Sequence, residues 1–124
     1  MTYNIQTLNC SQRNSNGLLK SNLEELMHFL RLTNPDLVIV SETHWNPKIN
    51  PSFQNYKLFR KDRLSGHKGG GVAILVHNSI HCVPFLPPSS HLIETVGVTI
   101  QTEEIGRIDV ISAYCPNGDA ARAD

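Results

Sequence analysis

The chain has 124 residues, 11 basic and 11 acidic, with 40% apolar side chains. That allows one domain with a modest core, and it is too apolar and too evenly charged for disorder over most of its length. A formal charge of zero gives no footprint for gripping nucleic acid through many phosphates, but leaves room for a metal-bridged phosphate site, which needs carboxylates rather than lysines.

"YNIQTLN" (residues 3–9) alternates apolar and polar side chains and predicts a strand. "CSQRNSNG" (residues 10–17) is polar and turn-rich, a loop. Leu19, Leu23, Leu26, Met27 and Leu30 follow a helical period. Ser21 with Glu24 three residues later fits a capping box, and Asn34-Pro35 stops the helix. The aliphatic run in "DLVIVS" (residues 36–41) predicts a strand buried on both faces.

The two prolines and three asparagines of "THWNPKINPSFQN" (residues 43–55) predict a long loop. "YKLFRKDR" (residues 56–63) reads as a short strand leaving the core, and "LSGHKGGG" as a glycine-rich turn. "VAILVH" (residues 72–77) is again a buried strand, and "HCVPF" (residues 81–85) is expected to pair with it across "NSI". "FLPPSSH" is a loop. "LIETVGVTIQT" and "RIDVISAYCP" alternate on either side of "EEIG", a hairpin signal. One helix and six or seven strands give an α+β layered arrangement with a sheet-dominated core.

Cys10, Cys82 and Cys115 are odd in number and widely spaced. They point away from a disulfide framework or a zinc knuckle and toward a reducing compartment, so the expected location is intracellular, nuclear or cytoplasmic. The first ten residues have no signal-peptide pattern, and no apolar run is long enough to span a bilayer. No membrane partner and no small-molecule cofactor are expected.

Polar groups fall at strand ends: Asn9, Glu42, the run Arg60, Asp62 and Arg63, and finally Tyr114 and Asn117. If the strands lie side by side, these groups crowd onto one rim. Such a rim suits a divalent cation, which takes hard oxygen ligands and often only one or two carboxylates, with arginine forks for a phosphodiester. Each residue also has a plainer reading. Glu42 could be a solvated strand end, Asn9 a turn residue, Tyr114 a strand aromatic, and "RKDR" a surface charge run. His77 and His81 straddle a turn and do not share a helical face, which argues against zinc. Trp45 and Phe53 are expected to pin the long loop to the core.

"LN" near the start, "DLVIVSETHW", "RKDR", "GGGVAILV" and "ISAYCPNG" occur in this order. Together they resemble the first half of the endonuclease domain of non-LTR (LINE-type) retrotransposons. That domain belongs to the exonuclease–endonuclease–phosphatase superfamily, which includes apurinic-site endonucleases. The resemblance runs from Ile5 to about Gly118. It implies a four-layer α/β sandwich and metal-dependent DNA nicking that primes reverse transcription. It implies magnesium or manganese on Glu42, with Asn9 orienting metal and phosphate. Tyr114 would contact the scissile phosphate beside Asn117. The functional reading of "RKDR" is that Arg60 and Arg63 help position the DNA backbone while Asp62 orients one of them.

The family's "GDFN"-type and "SDH"-type motifs, which supply a water-activating aspartate, an asparagine and a histidine, do not occur in this sequence. The expectation is therefore a truncated domain over residues 1–118, an unstructured tail over 119–124, and no activity alone. A bare inner sheet face, prone to self-association, is also expected. The alternatives are a non-catalytic remnant or binding module, or a same-fold phosphoesterase acting on a lipid or inositol phosphate.

Overall fold

A computed structural model describes residues 9–14, 17–18, 21–62, 70–88 and 93–114. Along the chain these form β1 (Cys10–Asn14), α1 (Ser21–Thr33), β2 (Leu37–Ser41), β3 (Tyr56–Lys61), β4 (Val72–His77), β5 (His81–Phe85), β6 (Glu94–Thr102) and β7 (Gly106–Tyr114).

Two sheets result. One has four strands in the order β1-β2-β4-β3; the other has three in the order β5-β6-β7. β1 runs parallel to β2, with Cys10 opposite Leu37, and β4 is antiparallel to both β2 and β3. The central strands β2 and β4 are the most aliphatic, and both of their faces are used. Val38, Val40, Ala73 and Leu75 pack under Leu26 and Leu30 of α1, together with Trp45, Phe53 and Tyr56. Leu37, Ile74 and Val76 face the other way and meet Val98 and Ile100 of β6. The period of two along a strand makes this division automatic. The described layers are thus helix, sheet and sheet, and the chain is a mixed α/β sandwich of the expected class.

α1 ends as its sequence requires. Asn34 takes φ 45°, the left-handed closing conformation, and Pro35 cannot continue the helix. The expected hairpin is present: β6 and β7 pair from Glu94↔Tyr114 to Thr102↔Gly106, and Gly106 turns at φ 88°.

Three expectations need correcting. The first described strand is Cys10–Asn14, inside the expected loop, and residues 3–8 lie outside the described residues. Polar composition misled because β1 is an edge strand of its sheet, with residues 10–13 exposed or half-buried and Arg13 lying over the Phe29 ring at 4.9 Å. Secondly, β5 does not pair with β4 but with β6 in the second sheet. The turn closed by Ile80 N–H on the His77 carbonyl sends the chain across from one sheet to the other. Pro84 then sits on a sheet edge, where its missing N–H is tolerated. Thirdly, the inner sheet face is not bare, because this chain supplies both sheets and their inner faces cover each other. Among the described residues, exposed apolar side chains include Leu86 after β5, Leu32 on α1, and Val83 (50%) and Ile111 (43%) on the outer face of the three-stranded sheet.

Candidate functional site

β2 carries its aliphatic run to Ser41 and then releases Glu42, Thr43 and His44 in an unusual backbone. Glu42 has φ 56° and His44 φ 60°, both in the left-handed region that side chains with a Cβ seldom occupy. Such conformations cost roughly 1–3 kcal/mol each and persist only where the surroundings dictate them. Here they do. On one side the Gly17 and Leu18 N–H groups donate to the carbonyls of Glu42 and Thr43, both at 2.7 Å. On the other side the Thr43 and His44 N–H groups donate to the carbonyls of Gly71 (3.3 Å) and Gly70 (2.8 Å). The stretch is gripped between two glycine-containing segments.

The second sheet delivers its polar groups to the same end. Glu94, Ser112 and Tyr114 share the strand parity of Val96, Val98 and Val110, so they lie on the inner face, where that face passes from apolar to polar. The buried Ser112 hydroxyl donates to the Val40 carbonyl at 3.0 Å and locks β7 to β2. Two residues on, the Tyr114 hydroxyl donates to Glu42 Oε1 at 2.8 Å. Glu94 Oε1 accepts from the Gly71 N–H at 2.9 Å. Two half-buried carboxylates and a phenol thus gather where β2, β6 and β7 converge.

Asn9 is not part of this group. β1 is parallel to β2, so the residue before Cys10 lies at the Leu37 end of the strand and not at the Glu42 end. Asn9 is exposed; its carbonyl accepts from the Asp36 N–H, and its own N–H donates to Asp36 Oδ2, both at 2.9 Å. Asn117 and Arg63 lie outside the described residues.

Arg60 stands in a different environment from the one a phosphate contact would need. Its Nε and Nη2 donate to Asp62 at 3.2 and 2.6 Å, Nη1 to the Ile49 carbonyl at 2.6 Å, and Nη2 to the Asn46 carbonyl at 3.0 Å. The guanidinium also lies 4.9 Å from the centre of the Trp45 ring. Its donors are engaged in folding the long loop onto the sheet. Trp45 and Phe53 do pin that loop, both buried, with ring centres 6.3 Å apart. Trp45 Nε1 donates to the Leu18 carbonyl at 2.8 Å.

Sequence reading overlooked Glu94. The signal was its phase: in "ETVGVTI" the carboxylate shares the alternation of Val96, Val98 and Ile100, which places it on the core face.

Among the described residues no three His, Cys, Asp or Glu side chains are grouped to hold a metal ion. The described side chains at this end that could help hold a cation are the Glu42 and Glu94 carboxylates, hard oxygen donors of the kind divalent cations take. A cavity lined by Met27, Arg31, Asn34, Gln54 and Asn55 lies at the opposite end of β2 and plays no part in this site.

Comparison with known proteins supplies the context. The profile of the Endonuclease/Exonuclease/phosphatase family matches residues 1–123. The RNA-directed DNA polymerase of the X-element transposon of Drosophila melanogaster is 29% identical over 104 residues, covering 83% of this chain and 11% of that protein. That of the Drosophila melanogaster mobile element jockey is 27% identical over 110 residues, covering 89% of this chain and 12% of that protein. The chain thus spans about a tenth of these relatives.

Among solved structures, the AP endonuclease LMAP from Leishmania major superposes with a TM-score of 0.61 at 18% identity, over 85% of this chain and 38% of that one. The 3′ phosphatase NExo from Neisseria, bound to product DNA hairpin, gives 0.61 at 18% identity, over 90% and 43%. These two establish the fold.

Proposed function

The chain belongs to the endonuclease/exonuclease/phosphatase family, and from that premise we propose that it forms one wall of a metal-dependent DNA endonuclease site in a retrotransposon protein. The observation that carries the proposal is the 2.8 Å hydrogen bond from Tyr114 to Glu42. It joins two residues 72 positions apart, each at the end of its own strand and each in a different sheet.

In this reading Glu42 holds Mg2+ or Mn2+. Such an ion supplies Lewis acidity to a phosphodiester oxygen and offsets charge that develops there. The protein's own share is positional. The left-handed backbone at Glu42 turns the carboxylate out of the strand. Tyr114 fixes one of its oxygens; with a single O–H, the phenol donates to a non-bridging phosphate oxygen only by turning away from Glu42, which the ion then holds. Similarity to the X-element and jockey polymerases supports DNA as the substrate and target-site nicking as the task. Asn117 and Arg63 stay in the proposal as phosphate and DNA contacts; Asn9, at the other end of β2, is dropped from it. The reading extends to an intracellular, nuclear or cytoplasmic setting.

The chain covers 38% and 43% of the two nuclease-fold structures compared above, and in isolation it is proposed to bind the ion without cutting. A plasmid-nicking assay with magnesium tests that part, and robust nicking by the isolated chain would refute it. Ion binding itself is tested by thermal denaturation with and without Mg2+. The expected result is a rise in Tm that Glu42→Gln removes; a rise that survives the substitution means the ion sits elsewhere.

A further inference from the structure

Glu94 is paired with Tyr114 at the candidate site, and one of its carboxylate oxygens accepts from the peptide N–H of Gly71 at 2.9 Å. Its carboxylate belongs to β6, whereas the amide it accepts from, Gly71 N–H, belongs to the segment leading into β4 of the other sheet. That same residue and its predecessor hold the stretch after Glu42. The Gly71 carbonyl accepts from Thr43 N–H, and the Gly70 carbonyl from His44 N–H. A carboxylate is a stronger acceptor than a neutral carbonyl, so Glu94 adds a charge-assisted anchor to this relay.

We propose that Glu94 is a positioning residue for the Glu42 carboxylate, acting through the backbone of Gly70 and Gly71 to hold the strained 42–44 turn. The inference rests on the reading of Glu42 as the cation ligand and deepens it.

Three independent features agree. Glu42 and His44 at φ 56° and 60° need outside restraint, since their own preferences oppose that backbone. Gly71, at φ 90°, comes so close that a Cβ there would lie 2.5 Å from the buried Thr43 hydroxyl, so the Gly71 backbone and the Thr43 side chain are in direct register. Finally, Glu94 is paired in the ladder with Tyr114, whose hydroxyl grips Glu42 directly. One rung of the second sheet thus controls Glu42 twice, by its side chain through Tyr114 and by its backbone through Glu94. Groups that orient a ligating carboxylate in this way typically change metal affinity 10–100-fold when removed.

The test compares the parent chain with Glu94→Ala, Glu94→Gln and Glu42→Gln. Mg2+ affinity is measured at a temperature where circular dichroism shows each variant folded, alongside amide hydrogen exchange at Gly71, Thr43 and His44. Glu94→Ala is expected to weaken Mg2+ about tenfold and to speed exchange at His44. Glu94→Gln retains an oxygen acceptor for the Gly71 N–H and is expected to recover most of both. A role confined to tying the sheets together would lower Tm in Glu94→Ala without moving the affinity of the folded protein, and that result overturns the proposal.

Should the parent show no ion response that Glu42→Gln removes, the functional reading fails. Exchange at His44 then still decides the clamp: faster exchange in Glu94→Ala than in Glu94→Gln supports it, and equal exchange overturns it. If Glu94→Ala does not fold, Glu94→Asp takes its place. Its shorter side chain withdraws from Gly71, and parent-like affinity and exchange in that variant overturn the proposal.

Discussion

At the Leu37 end of β2, the Tyr56 hydroxyl donates to the buried Pro35 carbonyl at 2.6 Å, the Asp36 side chain accepts from Asn9, and the Asp36 carbonyl accepts from His77. The Tyr56 ring is buried and meets His77 edge-on, with ring centres 5.2 Å apart. At the Ser41 end the same strand runs into two left-handed residues and a pair of half-buried carboxylates. One end closes with hydrogen bonds that stabilise the fold. The other concentrates strain and negative charge, which the fold must hold in place. A strand of five residues spans roughly 17 Å, so the two environments are well separated. Changes at one end should alter stability and leave ion binding alone, and changes at the other should do the reverse.

The largest effect separating the two ends is expected from Glu42→Gln. Isothermal titration should show the Mg2+ response lost altogether, while chemical denaturation shifts stability by less than about 1 kcal/mol. A loss of several kcal/mol would instead make Glu42 a structural residue.

Arg60→Ala comes next and is the exception to that rule: β3 brings Arg60 level with Val40 at the Ser41 end, but its donors serve the fold, so the effect is on stability. The side chains of the Arg60–Asp62 pair are only 18% and 10% exposed, and breaking such a pair leaves a half-buried charge uncompensated. Loss of the contacts to Asn46, Ile49 and Trp45 adds to this, for a cost of about 3 kcal/mol in urea denaturation. Ion binding should be unchanged. Near-parent stability combined with weakened DNA binding would restore Arg60 to the phosphate.

Tyr56→Phe is smaller. It strands the Pro35 carbonyl and should cost about 2 kcal/mol, again without touching the ion. Burial, and then the neighbouring Asp36 carboxylate, push the Tyr56 phenol above its ordinary pKa of 10.0. The folded state therefore holds this proton more tightly than the unfolded one. The resulting stability is intact below about pH 10 and is lost as pH rises through the folded value. Alkaline denaturation curves of parent and Tyr56→Phe should converge there.

The smallest effect belongs to Asp109 on the outer face of β7. The Thr99 hydroxyl donates to its carboxylate at 2.8 Å and, with Arg107, holds its pKa below 3.8. Its contribution is present above that value and fades as pH falls through the folded one. Asp109→Asn should flatten the acid limb slightly and change nothing near neutrality.

The sequence made the centre of the molecule easy to read and its margins hard. "LVIV" and "VAILV" are buried on both faces, so apolar run length alone located β2 and β4. The β6–β7 hairpin followed from strict alternation around a glycine that turns at positive φ. β1 escaped because an edge strand needs no apolar pattern, and β5 because nothing in a local window says which sheet a strand joins.

At the site, strand ends pointed to Glu42 and Tyr114, and the fold brings them together. The same rule failed for Asn9, because a parallel neighbour puts the residue before one strand at the opposite end from the residue after the other. For Arg60 the local pairing with Asp62 was legible, but its partners Asn46 and Ile49, more than ten residues away on the long loop, were not. Charge at a strand end does not reveal whether the fold itself will use it.

Paramagnetic broadening by Mn2+ in the 1H–15N spectrum of this chain most directly tests whether a cation binds between Glu42 and Tyr114. Sub-stoichiometric Mn2+ should erase the amide signals of Glu42, Thr43, Gly71 and Tyr114 while those of Asn9, Asp36 and Asn78 persist, and Glu42→Gln should restore the erased signals. Broadening centred on the Asp36 end of β2, or broadening around Glu42 that the substitution does not relieve, would contradict the account.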